Sequence, residues 1–122
     1  MVKKILYHGT ENKREILEYG MNISDGLYGD GFYFYEKPSN ARTYGSQIVK
    51  AEVVISKPFT FKSKQENETY NKLYEKYRSH RIVVEELKRR GYDAFRFKDF
   101  SKNSVGFWAW NIFNKSSIKK IS

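Results

Sequence analysis

GDGFYFYEKPSNARTYG, residues 29–45, is the stretch on which the reading of the fold turns. Its centre, residues 32–35, is a short run of aromatic residues with strand composition. Pro38 and Ser39 then open a short helix over residues 39–44, with proline in the first turn, where its missing N–H is an orphan anyway. Gly45 ends that helix. Upstream, the glycine-studded GMNISDGLYGDG, residues 20–31, reads as a loop. Before it, residues 3–7 read as a strand and residues 11–19 as a helix, with Thr10 as N-cap, Ile16 and Leu17 on one side and Gly20 as the C-cap glycine.

Downstream of Gly45, residues 47–55 alternate as a strand does, and KPFTF, residues 57–61, reads as a proline-interrupted second strand or sheet edge. Residues 63–80 are polar but carry Tyr70, Leu73, Tyr74 and Tyr77 at helical spacing, a stripe expected to face the core. KYRSHR, residues 76–81, reads as a loop. Residues 82–90 form a helix with Ile82, Val83 and Leu87 inward and Lys88, Arg89 and Arg90 at its C-terminal end, stopped by Gly91. Strands are expected over 92–97, 105–113 and 118–121, with DFSKNS, residues 99–104, as a loop. Strands and short helices in this order predict a single α+β domain over residues 1–122, not a regular βαβ winding.

Composition removes several classes of function. The 122 residues include no Cys, so disulfides, thiolate nucleophiles and Cys-based zinc sites are excluded. The only histidines are His8 and His80, too few for a three-His zinc centre, and no metal is expected. No apolar run approaches the roughly 20 residues of a membrane span, and Ile5-Leu6-Tyr7 is too short for a signal peptide. A soluble, cytoplasmic monomer that does not engage membranes is the expectation. Net charge is +9, unevenly spread: residues 1–61 carry 8 Lys/Arg against 7 Asp/Glu, and residues 62–122 carry 15 against 7. A basic second half attracts polyanions or acidic protein surfaces, or simply keeps the protein soluble.

Three pieces taken together carry a resemblance: YHGT at 7–10, GDGFYFYEKPSNARTYG at 29–45 and GYDAFRF at 91–97. A first strand ending in His-Gly, the signature Gly31-Phe32-Tyr33-Phe34, and Tyr44 eleven residues after Tyr33 resemble the ADP-ribosyltransferase superfamily, the fold of diphtheria-type toxins and poly(ADP-ribose) polymerases. The set is most similar to small polyvalent transferases of phages and mobile elements. The closing NIFNKSSIKKI, residues 111–121, resembles that family's ending, so the likeness runs from about residue 5 to 121.

The resemblance implies split antiparallel sheets with short flanking helices, and NAD as the substrate. NAD offers a nicotinamide ring with a π face and a carboxamide, which call for aromatic stacking and backbone hydrogen bonds. By resemblance, Gly9 would pair with the carboxamide and Tyr44 would stack on the ring. Tyr33 would support the ring from the other side, with Phe34 counted in the same cofactor-binding set. His8 would hydrogen-bond a ribose, and Thr10 would add a polar contact. The transition state resembles an oxocarbenium ion, so rigid placement and a nearby carboxylate are the expected means of catalysis.

The chain departs from the family in lacking the glutamate expected near the last strands: none follows Glu86. Of the later acids, Asp93 belongs to the Gly-Tyr-Asp turn, and Asp99 is the candidate carboxylate, with capping of the KDFSK turn as its alternative role. His8, Tyr44 and Asp99 form the candidate catalytic set. Ala41 stands where polymerase relatives place a serine, and Trp110 and Asn111 are further pocket candidates. Without the glutamate, single-unit transfer to a macromolecular acceptor is expected, not chain elongation. A protein acceptor comes first, as in the compact phage transferases, anti-CRISPR inhibitors among them, that modify a host defence protein. The alternative is an inactive binding module whose Lys88, Arg89, Arg90, Arg96, Lys98 and Lys102, interleaved with Tyr92, Phe95, Phe97 and Phe100, dock on nucleic acid or an acidic protein. A transferase with a nucleic-acid acceptor would join the two.

Overall fold

The alternating run at residues 47–55 becomes the strand next to one edge of a mixed sheet. In the computed structural model, which describes residues 1–61 and 64–122, the elements are β1 (Val2–Thr10), α1 (Lys13–Tyr19), β2 (Ser24–Gly26), β3 (Gly29–Tyr35), α2 (Pro38–Ala41), β4 (Gln47–Ile55), β5 (Pro58–Thr60), α3 (Lys64–Tyr77), α4 (His80–Arg89), β6 (Ala94–Asp99), β7 (Phe107–Ile112) and β8 (Ile118–Ile121). The sheet order is β5-β6-β7-β3-β1-β4-β8, and β2 hangs on β3 as a hairpin. The architecture is α+β. The expected antiparallel pairing holds except between β5 and β6, which are parallel. Helices α3 and α4 lie between them in sequence and supply the long crossover that a parallel pair needs. Pro58 sits on the edge strand β5, where a missing N–H is tolerated.

The sheet is split where the site lies. β1 and β4 pair along nine residues each, from Val2↔Ile55 to Thr10↔Gln47, and β3 and β7 along four. β1 and β3 share one pair only, Tyr7↔Tyr35.

Each face of the sheet carries a core. On one, Tyr70 and Leu73 of α3 and Val83, Val84 and Leu87 of α4 pack on Phe59 and Phe95. On the other, Leu6, Phe32, Phe34, Val53, Trp110 and Ile112 are closed over by Met21 and Ile16. The α3 stripe faces the core as expected, although that expectation begins at residue 63, outside the described residues. No helix among the described residues is long and apolar enough to cross a membrane.

Several boundaries move for local reasons. Thr10 does not cap α1: it ends β1, its hydroxyl accepts the Asn12 N–H at 2.9 Å, and Asn12 stands at the N-cap. Helix α2 covers only Pro38–Ala41, its last residues being turns. Within KYRSHR only Arg78 and Ser79 lie outside helices, because Ser79 caps α4 by accepting the Ile82 N–H at 3.3 Å. Starting α4 at His80 sets the inward frame at 83, 84 and 87, so Val84 is buried and Ile82 is exposed. The strand expected from Tyr92 begins at Ala94, because the Asp93 carboxylate accepts the Ser56 and Lys57 N–H groups at 2.7 and 2.9 Å.

A clamp fixes β6 and β7 against the end of β3. Glu36 accepts from Arg96 Nε at 2.7 Å, from the second Arg96 nitrogen at 3.0 Å and from Trp110 Nε1 at 2.7 Å. The guanidinium also lies 3.7 Å from the Trp108 ring centre. Burial pushes the Glu36 carboxyl up, but the bonds from Arg96 and Trp110 outweigh it and leave its pKa lowered. Glu36→Ala should therefore lose about 2 kcal/mol, since two partly buried donors lose their acceptor together. The contribution is present above the ordinary value of 4.5 and is lost as the pH falls through the lowered one. Urea midpoints of the wild type and Glu36→Ala should converge in acid; a gap that stays constant across that range would contradict the clamp.

Candidate active site

A cavity of about 610 Å³ opens beside the single β1–β3 pair, under the β2–β3 turn. That volume lies within the range of small-molecule sites. Strand alternation on β3 sends Tyr33 and Tyr35 into it and Phe34 to the opposite face, where Phe34 is 0 % exposed. The expected role of Phe34 as a ligand contact is thereby corrected: it is core. Thr10 does not line the cavity either. Trp110 is buried on the far face of β7 against Glu36 and is not a pocket residue.

Close backbone packing places Tyr44. A Cβ on Gly9 would sit 1.9 Å from the Ala41 carbonyl oxygen, and one on Gly45 would sit 2.3 Å from the Thr10 nitrogen. Both glycines thus let α2 and its exit turn lie flat on the end of β1. Tyr44 then stacks on Tyr35, with ring centres 5.0 Å apart and planes at 13°. The Tyr44 ring stays half exposed while Tyr35 is buried beneath it.

The hydroxyl of Tyr44 reaches across the cavity mouth to β6. It donates to Asp99 Oδ2 and lies 2.8 Å from Ser101 Oγ. The other carboxylate oxygen, Oδ1, accepts the Ser101 N–H at 2.8 Å. Asp99 therefore caps its turn and also borders the cavity. Burial and then the Asp99 carboxylate push the Tyr44 hydroxyl above its ordinary value. Burial also raises Tyr35, raises Tyr28 together with Asp99, and pushes Tyr33 up to about 12. All four phenols stay protonated at neutral pH and serve as donors.

His8 stands at the split. Its Nδ1 lies 2.9 Å from the Tyr33 carbonyl oxygen. A carbonyl only accepts, so Nδ1 carries the hydrogen; in a neutral imidazole that arrangement leaves Nε2 as the acceptor. Lys98 borders the cavity, but its ammonium lies 4.8 Å from the Trp108 ring centre on the other face of β6. The roof is held by α4, whose Arg81 pairs with Asp25 and Asp30 and whose Lys88 donates to the Asp30 carbonyl at 3.0 Å.

The structure thus brings His8, Gly9, Tyr33, Tyr44 and Asp99 to one cavity. It adds Tyr28, Tyr35, Phe97 and Ser101, which sequence reasoning missed. Tyr35 was within reach, two residues after Tyr33 and so on the same strand face. Tyr28 carried no signal, because the turn that turns it inward is set by distant contacts. The basic–aromatic surface is rearranged: Phe95 and Phe97 are buried, Lys88 pairs with Glu85, and Arg96 is clamped by Glu36. Among the described residues no group of three or more His, Cys, Asp or Glu is placed to hold a metal ion.

A family model described as ADP-ribosyltransferase in polyvalent proteins matches residues 2–122. No curated protein matches the chain.

Proposed function

From the premise that this chain belongs to the family of ADP-ribosyltransferases in polyvalent proteins, we propose that it transfers a single ADP-ribose unit from NAD to a protein acceptor. The observation that carries this reading is the Tyr44–Asp99 contact. It sets a half-exposed ring, able to take the nicotinamide, and a carboxylate, able to face the ribose, at the mouth of one cavity.

The chemistry follows from the geometry. The free face of the Tyr44 ring stacks on the nicotinamide, with Tyr35 stiffening it from behind. The Gly9 backbone, unobstructed by a side chain, lies against the carboxamide, and His8 Nε2 accepts from a ribose hydroxyl. The C1′–nitrogen bond breaks, and nicotinamide leaves with the electron pair. Asp99 stabilises the positive charge that develops on the ribose. An acceptor nucleophile then bonds to C1′ and releases its proton. One carboxylate supports this sequence, and single-unit transfer is the form it supports. The resemblance to compact phage transferases extends the reading to a host defence protein as the acceptor, modified by a monomeric enzyme in the cytoplasm.

Tyr44 separates stacking from tethering. Tyr44→Ala should weaken NAD binding by about tenfold or more, the worth of one stacked ring. Tyr44→Phe should bind NAD nearly as the wild type does but turn it over more slowly, since Asp99 loses the tyrosine donor and keeps only the Ser101 N–H. Calorimetric titration with NAD and a nicotinamide-release assay measure the two effects. Wild-type turnover in Tyr44→Ala would falsify the site. For the acceptor, adenylate-labelled NAD is incubated with the protein and a cell lysate, and the products are digested separately with protease and nuclease. Label lost to protease alone supports a protein acceptor; label lost to nuclease alone replaces it with a nucleic acid. Absence of both label and NAD consumption overturns the enzyme reading.

A further inference from the structure

Asn111 is the one fully buried polar side chain among the described residues. It sits mid-strand on β7, opposite Tyr33 of β3 and Phe95 of β6. Its Nδ2 donates to the Tyr28 carbonyl at 3.1 Å and lies 3.4 Å from the Tyr33 hydroxyl. That hydroxyl in turn donates to the Gly29 carbonyl at 2.5 Å. The Asn111 Oδ1 has no hydrogen-bond partner. A Cβ on Gly31 would lie 1.6 Å from Oδ1 and 2.6 Å from Cγ, so the amide fills the space a side chain at 31 would take. Gly31, which reads in sequence as a turn or signature glycine, is the residue that admits this amide.

A buried amide with an unmet acceptor carries a penalty that an apolar side chain of the same size would avoid. What the amide provides in return is geometry. It joins the main chain of the β2–β3 turn at Tyr28 to the Tyr33 hydroxyl, and through that hydroxyl to Gly29. Tyr28 and Tyr33 are two aromatic walls of the cavity. Tyr33 also lies directly under the turn, where a Cβ on Gly26 would meet its oxygen at 2.6 Å. Asn111 itself does not line the cavity and is too deep to touch a ligand in it.

We propose that Asn111 is a positioning residue: its buried amide locks the β2–β3 turn onto β7 and so holds Tyr28 and Tyr33 at the spacing the ligand needs. Its effect on the substrate rests on the NAD reading above; its effect on the turn does not. Asn111→Leu keeps the size and removes every hydrogen bond. This variant should stay folded, while amides of residues 24–31 exchange with deuterium about tenfold faster, the worth of one lost hydrogen bond. KM for NAD should rise about tenfold with a smaller change in kcat, because the walls loosen while Asp99 stays in place. Asn111→Ser, which restores a short donor, should recover part of both effects. If Asn111→Leu does not fold, Asn111→Ala, which cannot overpack, takes its place.

Wild-type exchange over residues 24–31 in a folded Leu or Ala variant overturns the proposal. So does a loss spread evenly over the whole sheet, which marks a merely structural role. If the wild type neither binds nor consumes NAD, the enzyme reading fails, and the exchange experiment still decides the role of Asn111.

Discussion

Asp99→Asn will bind NAD almost as the wild type does and will transfer ADP-ribose about two to three orders of magnitude more slowly. The substitution is close to isosteric. An asparagine oxygen can still accept the Ser101 N–H, so the turn at the end of β6 keeps its cap. What is lost is the negative charge. In bound NAD the positive charge lies on the nicotinamide ring; it passes to the ribose as neutral nicotinamide departs with the electron pair, and that is where the Asp99 charge acts. The effect therefore belongs in kcat and not in affinity. Single-turnover nicotinamide release and calorimetry with NAD separate the two. Unchanged release in Asp99→Asn moves the carboxylate role elsewhere, and Asp25 is the other acid that borders the cavity. Asp99→Glu is the informative companion. Its longer side chain carries the charge but no longer fits a turn cap two residues from Ser101, so it should restore only part of the rate.

Gly9→Ala is the second large effect, and it acts through packing. The three atoms a Cβ would meet are the Ala41 oxygen at 1.9 Å, the Ala41 carbon at 2.8 Å and the Gly45 nitrogen at 3.1 Å. All three are main chain, so no rotamer relieves the overlap and α2 must be pushed off β1. Overpacking of this kind costs about 3 kcal/mol. Tyr44 follows α2 by three residues, and its N–H donates to the Ala41 carbonyl at 3.0 Å. Moving Ala41 therefore moves the stacking ring, and NAD binding should vanish even in molecules that remain folded. A urea melt gives the stability loss, and titration of the folded protein below its unfolding midpoint gives the binding loss. A variant that is destabilised yet binds NAD normally would show that Gly9 serves packing alone.

What could be read from the sequence follows from how local its causes are. β4 was legible end to end because its inward Val49, Ala51, Val53 and Ile55 alternate with polar or half-exposed residues. Gly20 and Gly91 were legible as helix stops because both take left-handed backbone, with φ of 86° and 92°. The faces of β3 were not legible, because Phe-Tyr-Phe-Tyr is aromatic on both sides and carries no polar face to mark the outside. The frame of α4 was off by its first turn, since the capping role of Ser79 was hidden in a basic run. In the site, the joint pattern of His8, Gly9, Tyr33 and Tyr44 led to the cavity. Asp99 was reachable by elimination among the late acids. The Asn111 amide, the inward turn of Tyr28 and the parallel β5–β6 pair depend on contacts between distant segments, and no window of sequence contains them.

The strand order also sets when the cavity can exist. The chain crosses the split repeatedly: β1 on one side, β2 and β3 on the other, then β4, then β5 to β7, and β8 back beside β4. Neither half is a continuous segment, so no single cut yields two fragments that each hold a complete half. During synthesis β1 and β4 are available to pair early, but β3 has its four-residue ladder only with β7, at Phe107–Ile112. Until β7 has emerged, the aromatic strand that walls the cavity waits with an open edge. Long-range pairing of this sort folds slowly, on the millisecond-to-second scale, and the cavity would take shape almost at once, when β7 joins β3.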